Sequence, residues 1–146
     1  MRLTSFTDFG LRALMRMASD PHRAFSTAEL ADEFGLSRNH LTKIMQRLAQ
    51  GGIVATRRGS GGGATLALAP RAISLGDVVR LLEAGQPLVE CFATTGNTCS
   101  ITGCCSLKAR LSSAEAAFLT NLDRSTLADI ALPKSRPSQA ATPVPA

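Results

Sequence analysis

Four cysteines stand at positions 91, 99, 104 and 105, inside the stretch CFATTGNTCSITGCCSLK, and the other positions of the 146-residue chain carry none. Thiolates are ligands for soft or borderline metals. A loop rich in Gly, Thr and Ser can also turn its backbone amides toward the sulfurs of an iron-sulfur cluster. Cys104 and Cys105 are adjacent and would strain to serve one centre together, so the expected ligand set is Cys91, Cys99 and one member of that pair. Three sulfurs leave a fourth coordination position for another donor. A structural zinc site would show paired CxxC knuckles, which are absent, and both histidines, His22 and His40, lie far away in sequence. Unligated buried thiols are the plain alternative for any single cysteine, but four in one polar loop argue against it.

The chain around that loop is 45% hydrophobic and 18% charged, enough to bury one modest core. The N-terminal MRLTSFTDFGLRAL has polar residues and Asp8 where a secretory leader needs an unbroken apolar run, and no stretch reaches the length of a membrane span. A cytoplasmic protein without a membrane partner is expected. In that reducing compartment clustered cysteines serve metal binding or redox chemistry more often than structural disulfides.

Net charge is +5. From Phe34 to Gly76 there is no Asp or Glu, while Arg38, Lys43, Arg47, Arg57, Arg58 and Arg71 fall in that window. Such a one-signed field points to a polyanion; its bland counterpart is a solvated basic face. The pattern beneath the charges decides between them. Ser26 with Glu29 has the spacing of a capping box, Leu30, Ala31 and Phe34 form a short apolar stripe, and Gly35 stops the helix. Ser37 then caps a second helix in which Leu41, Ile44, Met45 and Leu48 recur at helical spacing, with Gly51 expected as its left-handed end. Two short helices joined by a Gly-containing turn make a helix-turn-helix. Ser37, Arg38, Asn39, His40, Thr42, Lys43, Gln46 and Arg47 are left at its start and on its outer side, where side chains read base edges and phosphates of double-stranded operator DNA.

Ile53 to Arg57 and Thr65 to Leu68 read as strands joined by a glycine-rich tip, Gly59 to Gly63. This wing carries Arg57 and Arg58 toward a minor groove, with Gly61 and Gly62 at the contact. Neither a Walker pattern nor GxGxxG is present, so the glycines do not read as a nucleotide cradle. Ser74 and Asp77 cap a further helix with a core face of Leu75, Val78, Val79, Leu81 and Leu82. Beyond the sulfur loop, Leu107, Leu111, Ala114, Phe118 and Leu122 form a seam, with Ser112 and Glu115 as an internal start, and a second copy of the chain is expected to cover it. Pro133 begins a proline-rich tail, 133–146, that cannot build a core and is expected to be disordered. The expected fold is mainly α with a small β-hairpin: one winged helix-turn-helix unit over 1–132, including a cluster loop at about 88–106 and a dimerisation helix at about 107–123.

The segments LTSFTDFGLRALMRMA, GLSRNHLTKI, RRGSGGG with LAL, ISLGDVVRLLE, CSITGCCSLK and FLTNLD with TLADI occur in an order that resembles the NsrR family of nitric-oxide-sensing iron-sulfur repressors, from Met1 to about Leu132. The resemblance implies a homodimer with one iron-sulfur cluster per subunit, 4Fe-4S in preference to 2Fe-2S. Its ligands would be Cys91, Cys99 and Cys105, with Asp8 given by the other subunit. The chain departs from the family pattern in the seven residues between Cys91 and Cys99 and in the additional Cys104. The sister IscR family, with a 2Fe-2S cluster, would require histidine where Lys108 stands. On residues alone, Asp8 reads as the partner of Ser5 in a capping box.

The resemblance implies a repressor whose holo dimer binds its operator and whose nitrosylation by nitric oxide relieves repression. An IscR-like iron-sulfur-status regulator and a cluster-free thiol redox switch are the alternatives. Enzymatic catalysis has little support, since no Ser-His-Asp or paired-carboxylate arrangement is present.

Overall fold

The computed structural model describes residues 2–60 and 62–134. Gly61 of the wing tip and residues 135–146 of the proline-rich tail lie outside the described residues. The fold is mainly helical with one two-stranded antiparallel hairpin, as the sequence predicts. Among the described residues no helix is long and apolar enough to cross a membrane.

Helix α1 spans Ser5–Ser19, and its N-cap is Thr4, whose hydroxyl accepts from the Thr7 N–H at 3.3 Å. The capping box expected from Ser5 and Asp8 does not form. Thr4 is fixed instead by Glu83, whose Oε1 accepts from the Thr4 N–H and hydroxyl at 2.8 Å each. Ser5 is thereby left as the first helical residue. Partial burial is the largest influence on the Glu83 carboxyl and pushes its pKa up, but hydrogen bonds from Thr7 and Thr4 together carry it below the usual value.

Helix α2, Thr27–Phe34, starts at Ser26, whose Oγ accepts from the Glu29 N–H at 3.0 Å, and it ends at Gly35 in the left-handed conformation. Helix α3, Arg38–Gln50, starts at Ser37 and buries Leu41, Ile44, Met45 and Leu48. Its left-handed end is Gly52 (φ 75°), one residue beyond the expected Gly51 (φ −80°). The shift arises because the Gly51 N–H still bonds to the Arg47 carbonyl at 3.0 Å. Gly51 packs closely on α4: a Cβ there would displace the end of the Leu81 side chain.

Strands β1, Val54–Arg57, and β2, Gly63–Leu66, pair in the register Val54↔Leu66 to Arg57↔Gly63. The hairpin begins one residue later in its first strand and ends two residues earlier in its second than the alternation predicts. Ala64 sets the second strand, because its other edge exchanges two 2.8 Å hydrogen bonds with Phe25. Gly63 (φ 143°) admits that approach, since a Cβ would lie 2.6 Å from the Phe25 carbonyl oxygen.

Helix α4, Leu75–Leu82, begins at Ser74 and buries Leu75, Val78, Val79 and Leu82, with Leu81 only partly covered. Helix α5, Ser106–Leu122, runs without interruption past Ser112 and Glu115, so the internal start is not used. The chain then returns to the core. Leu127 is fully buried, its N–H bonds to the Ile73 carbonyl at 2.9 Å, and the Leu132 N–H bonds to the Met15 carbonyl at 3.0 Å. Leu14, Met17, Phe25, Leu30, Leu41, Ile44, Leu48, Ile73, Val78 and Leu127 form one centre that seats α3. Arg16 is buried beside it, paired with Glu33 of α2 and donating to the Pro133 carbonyl at 3.1 Å.

Candidate functional site

The outer side of α3 presents Arg38, Asn39, Thr42, Lys43 and Gln46 to solvent, with no acidic residue on the helix. Ser37 spends its hydroxyl as the cap, accepting from the His40 N–H at 3.4 Å. Thr42 donates to the Arg38 carbonyl at 2.8 Å, and the Arg38 guanidinium lies 3.6 Å from Asp32 across the turn, both side chains largely exposed. Arg57 and Arg58 are exposed where β1 leads into the tip, with Gly62 partly covered beside them. The free ends of Arg38, Asn39, Lys43 and Gln46 therefore share one face, and the wing arginines form a second basic point.

Two residues assigned to that face sit on its flank. His40 is half-buried, its ring 5.9 Å from the Phe6 ring and 5.6 Å, edge-on, from the Phe9 ring of α1. Arg47 donates through Nε to the Leu81 carbonyl at 3.3 Å. The spacing within α3 leaves both outward; neighbours contributed by α1 and α4 cover them, and periodicity in one helix carries no sign of that.

In the sulfur loop all four thiols are free, with Cys104 exposed and the others partly covered. Cys91 lies in a short 3-10 turn, Glu90–Phe92. Cys105 occupies the N-cap of α5 without making a side-chain cap hydrogen bond, so its sulfur is uncommitted beside the first-turn amides of that helix. Cys91 and Cys105 line one open groove with Phe92, Lys108 and Glu115. Cys99 stands outside that groove, and the exposed Cys104 Sγ points toward the Ile101 carbonyl at 3.6 Å. The Glu90 carboxylate accepts from the hydroxyl and N–H of Thr98, at 2.6 and 2.5 Å, and these bonds hold its pKa below the usual range.

Asp8 lies in the first turn of α1, half-exposed, engaged by the Arg12 guanidinium at 3.2 and 2.7 Å one helical turn on. Among the described residues no three His, Cys, Asp or Glu side chains converge closely enough to hold a metal ion within one chain. The donor chemistry nevertheless fits an iron-sulfur centre: uncommitted thiols on a polar, amide-rich loop, two of them sharing a groove.

Residues 3–132 match the Rrf2 family, described as iron-dependent transcriptional regulators. Among solved structures the chain is similar to IscR of T. potens, at 27% identity over 89% of this chain and 85% of that one, with a TM-score of 0.67. It is similar also to CymR, the global cysteine regulator of B. subtilis, at 26% identity over 90% and 96% of the two chains, with a TM-score of 0.66. The oxidised form of Staphylococcus aureus CymR, at 24% identity over 90% and 96% and a TM-score of 0.69, bears on the fold alone. Regulators of this family bind DNA and act as dimers. With its winged helix-turn-helix, its acid-free α3 and a match spanning nearly the whole described length, the chain belongs to the Rrf2 family of transcriptional regulators.

Proposed function

We propose that this regulator is a nitric-oxide-responsive repressor of the NsrR type, an iron-sulfur protein whose holo dimer binds operator DNA. The observation that carries the reading is the sulfur loop: four free thiols on one polar segment, Cys91 and Cys105 in a shared groove, and Lys108 where an IscR-type site would need an imidazole. An ammonium is a poor iron ligand. Cys91, Cys99 and Cys105 would hold one 4Fe-4S cluster per subunit, with Asp8 of the partner subunit as the fourth donor. When bound, the cluster would supply iron reactive toward nitric oxide.

The chain's own residues supply the link to DNA. A carboxylate is a harder and weaker donor to iron than a thiolate, which makes Asp8 the ligand most readily exchanged. Asp8 lies between Phe6 and Phe9, whose rings rest on His40 in the first turn of α3. A change in how Asp8 is held is therefore felt at the recognition helix through three packed rings. Arg38, Asn39, Thr42, Lys43 and Gln46 face the major groove, Ser37, His40 and Arg47 set the helix, and Arg57, Arg58, Gly61 and Gly62 approach the minor groove. α5 meets its copy along its apolar seam, where Leu107 is 62% exposed and Leu111, Phe118 and Leu122 are only partly covered within one chain.

Iron and acid-labile sulfide analysis of anaerobically purified protein tests the reading, with Asp8→Ala beside wild type. Both proteins should retain the three thiol ligands, and the variant should show a changed cluster spectrum and a changed rate of reaction with nitric oxide. Wild type without iron or sulfide would overturn it. A thiol switch is the second reading, favoured by the adjacent free thiols Cys104 and Cys105 and by the similarity to CymR. It expects DNA binding that follows thiol oxidation in iron-free protein.

A further inference from the structure

We propose that Glu90 is a positioning residue of the sulfur loop, holding Cys99 near Cys91 across a segment that would otherwise part them. Its purpose rests on the iron-sulfur reading above; its geometry does not. Seven residues separate the two cysteines, and a chain of that length can extend for more than about 20 Å. Glu90 precedes Cys91 and Thr98 precedes Cys99, and a single carboxylate oxygen, Glu90 Oε1, accepts from both the Thr98 N–H at 2.5 Å and the Thr98 hydroxyl at 2.6 Å. The ends of the segment are thus tied one residue ahead of each thiol. Thr94, Thr95 and Gly96 are exposed between them, with Gly96 at φ 77° turning the chain back.

A second layer fixes Cys99 itself. Its N–H donates to Asn97 Oδ1 at 3.0 Å, Asn97 Nδ2 donates to the Thr102 hydroxyl at 3.1 Å, and that hydroxyl donates to the Cys99 carbonyl at 3.0 Å. The Cys99 backbone is therefore held on both sides by side chains of its own loop. Among the described residues, Glu90 alone reaches from this network to the turn that carries Cys91. Bonds to an ionised carboxylate are about twice as strong as neutral ones, and a loop already closed spares metal binding the entropy of closing it. The clasp also accommodates the long Cys91–Cys99 spacing, because the intervening residues loop out between the bonded Glu90 and Thr98.

The test uses the full-length, metal-free chain carrying Cys104→Ser and Cys105→Ser, so that Cys91 and Cys99 are the remaining thiols. A short bis-maleimide should join these two residues rapidly, read by mass spectrometry. Glu90→Ala should slow the cross-link by about tenfold; Thr98→Val should slow it less because the backbone N–H bond survives, and Thr98→Ser should restore it. In the chain with all four cysteines, Co²⁺ titration followed by thiolate-to-metal charge-transfer absorbance should show an affinity about tenfold weaker for Glu90→Ala, at an unchanged thermal melting profile. Cross-linking of Glu90→Ala at the wild-type rate would overturn the clasp, whatever iron the protein carries. Cross-linking that depends on Glu90 in a protein that takes up no iron or sulfide would support the clasp and count against the iron-sulfur reading alone.

Discussion

Lys43 and Asn39 share the exposed face of α3, but they have different chemistry toward a duplex. A lysine ammonium neutralises phosphate whatever the sequence, whereas an asparagine amide can pair in two places with an adenine edge. Lys43→Ala should weaken binding to all duplexes and lower the slope of log affinity against log salt by about 1. Asn39→Ala should leave the slope intact and cost about 1–3 kcal/mol at its preferred base. Fluorescence anisotropy on selected and scrambled duplexes at several salt concentrations separates the two. Arg16 poses a question of stability: it is 6% exposed, paired with Glu33 and bonded to Ser19 and Pro133. Arg16→Ala strands a poorly solvated carboxylate and should lower unfolding free energy in urea by about 3–5 kcal/mol. A loss under 1 kcal/mol would show that the pair holds nothing together.

Elements begin and end here where local chemistry dictates, and those signals are short-range. Ser26, Ser37 and Ser74 each cap the helix that follows, and Gly35 closes its own, because a cap involves only the next three or four residues. Long-range partners overrode the local signal elsewhere. Thr4 took the cap from Ser5 because Glu83, 79 positions away, holds it. β2 took its limits from Phe25, and His40 left the outer face because Phe6 and Phe9 cover it. In the sulfur loop the residue types point to metal or thiol chemistry, while the hydrogen bonds between Glu90 and Thr98 have no periodic signature. The joint between α4 and α5 supports a pH test. Arg80 grips Asp123 through two 2.6 Å bonds, Ser74 adds a third at 3.3 Å, and Gly76 leaves the space, since a Cβ there would overlap the carboxylate. The hydrogen bond from Arg80, followed by its charge, holds the Asp123 carboxyl below its usual pKa. A carboxylate with a depressed folded pKa stabilises the fold above its ordinary value, near 4, and loses that contribution as pH falls through the lower one. The melting temperature of Asp123→Asn should therefore lie below wild type at neutral pH, and the gap should narrow as the pH falls below about 4. A gap that does not narrow as the pH falls below about 4 would assign the effect to something other than this ionisation.

For the whole molecule, one core serves both the DNA-reading unit and the segment that follows α5. Leu127 is buried among the helix-turn-helix residues, and the strap to Pro133 is bonded to α1. The sulfur loop thus has two covalent neighbours, α4 before it and α5 after it, and both join the body that seats α3. Under the proposed function, a signal received at the loop would reach α3 through these packed elements. Such coupling has meaning only as a difference in DNA affinity between two chemical states. The decisive measurement is a nitric oxide titration of the anaerobically loaded protein on a selected duplex, with cluster absorbance and anisotropy followed in one cuvette. Loss of absorbance and release of DNA should proceed together, with affinity falling at least tenfold at completion. DNA affinity that stays constant while the cluster reacts fully would contradict the proposed sensing mechanism.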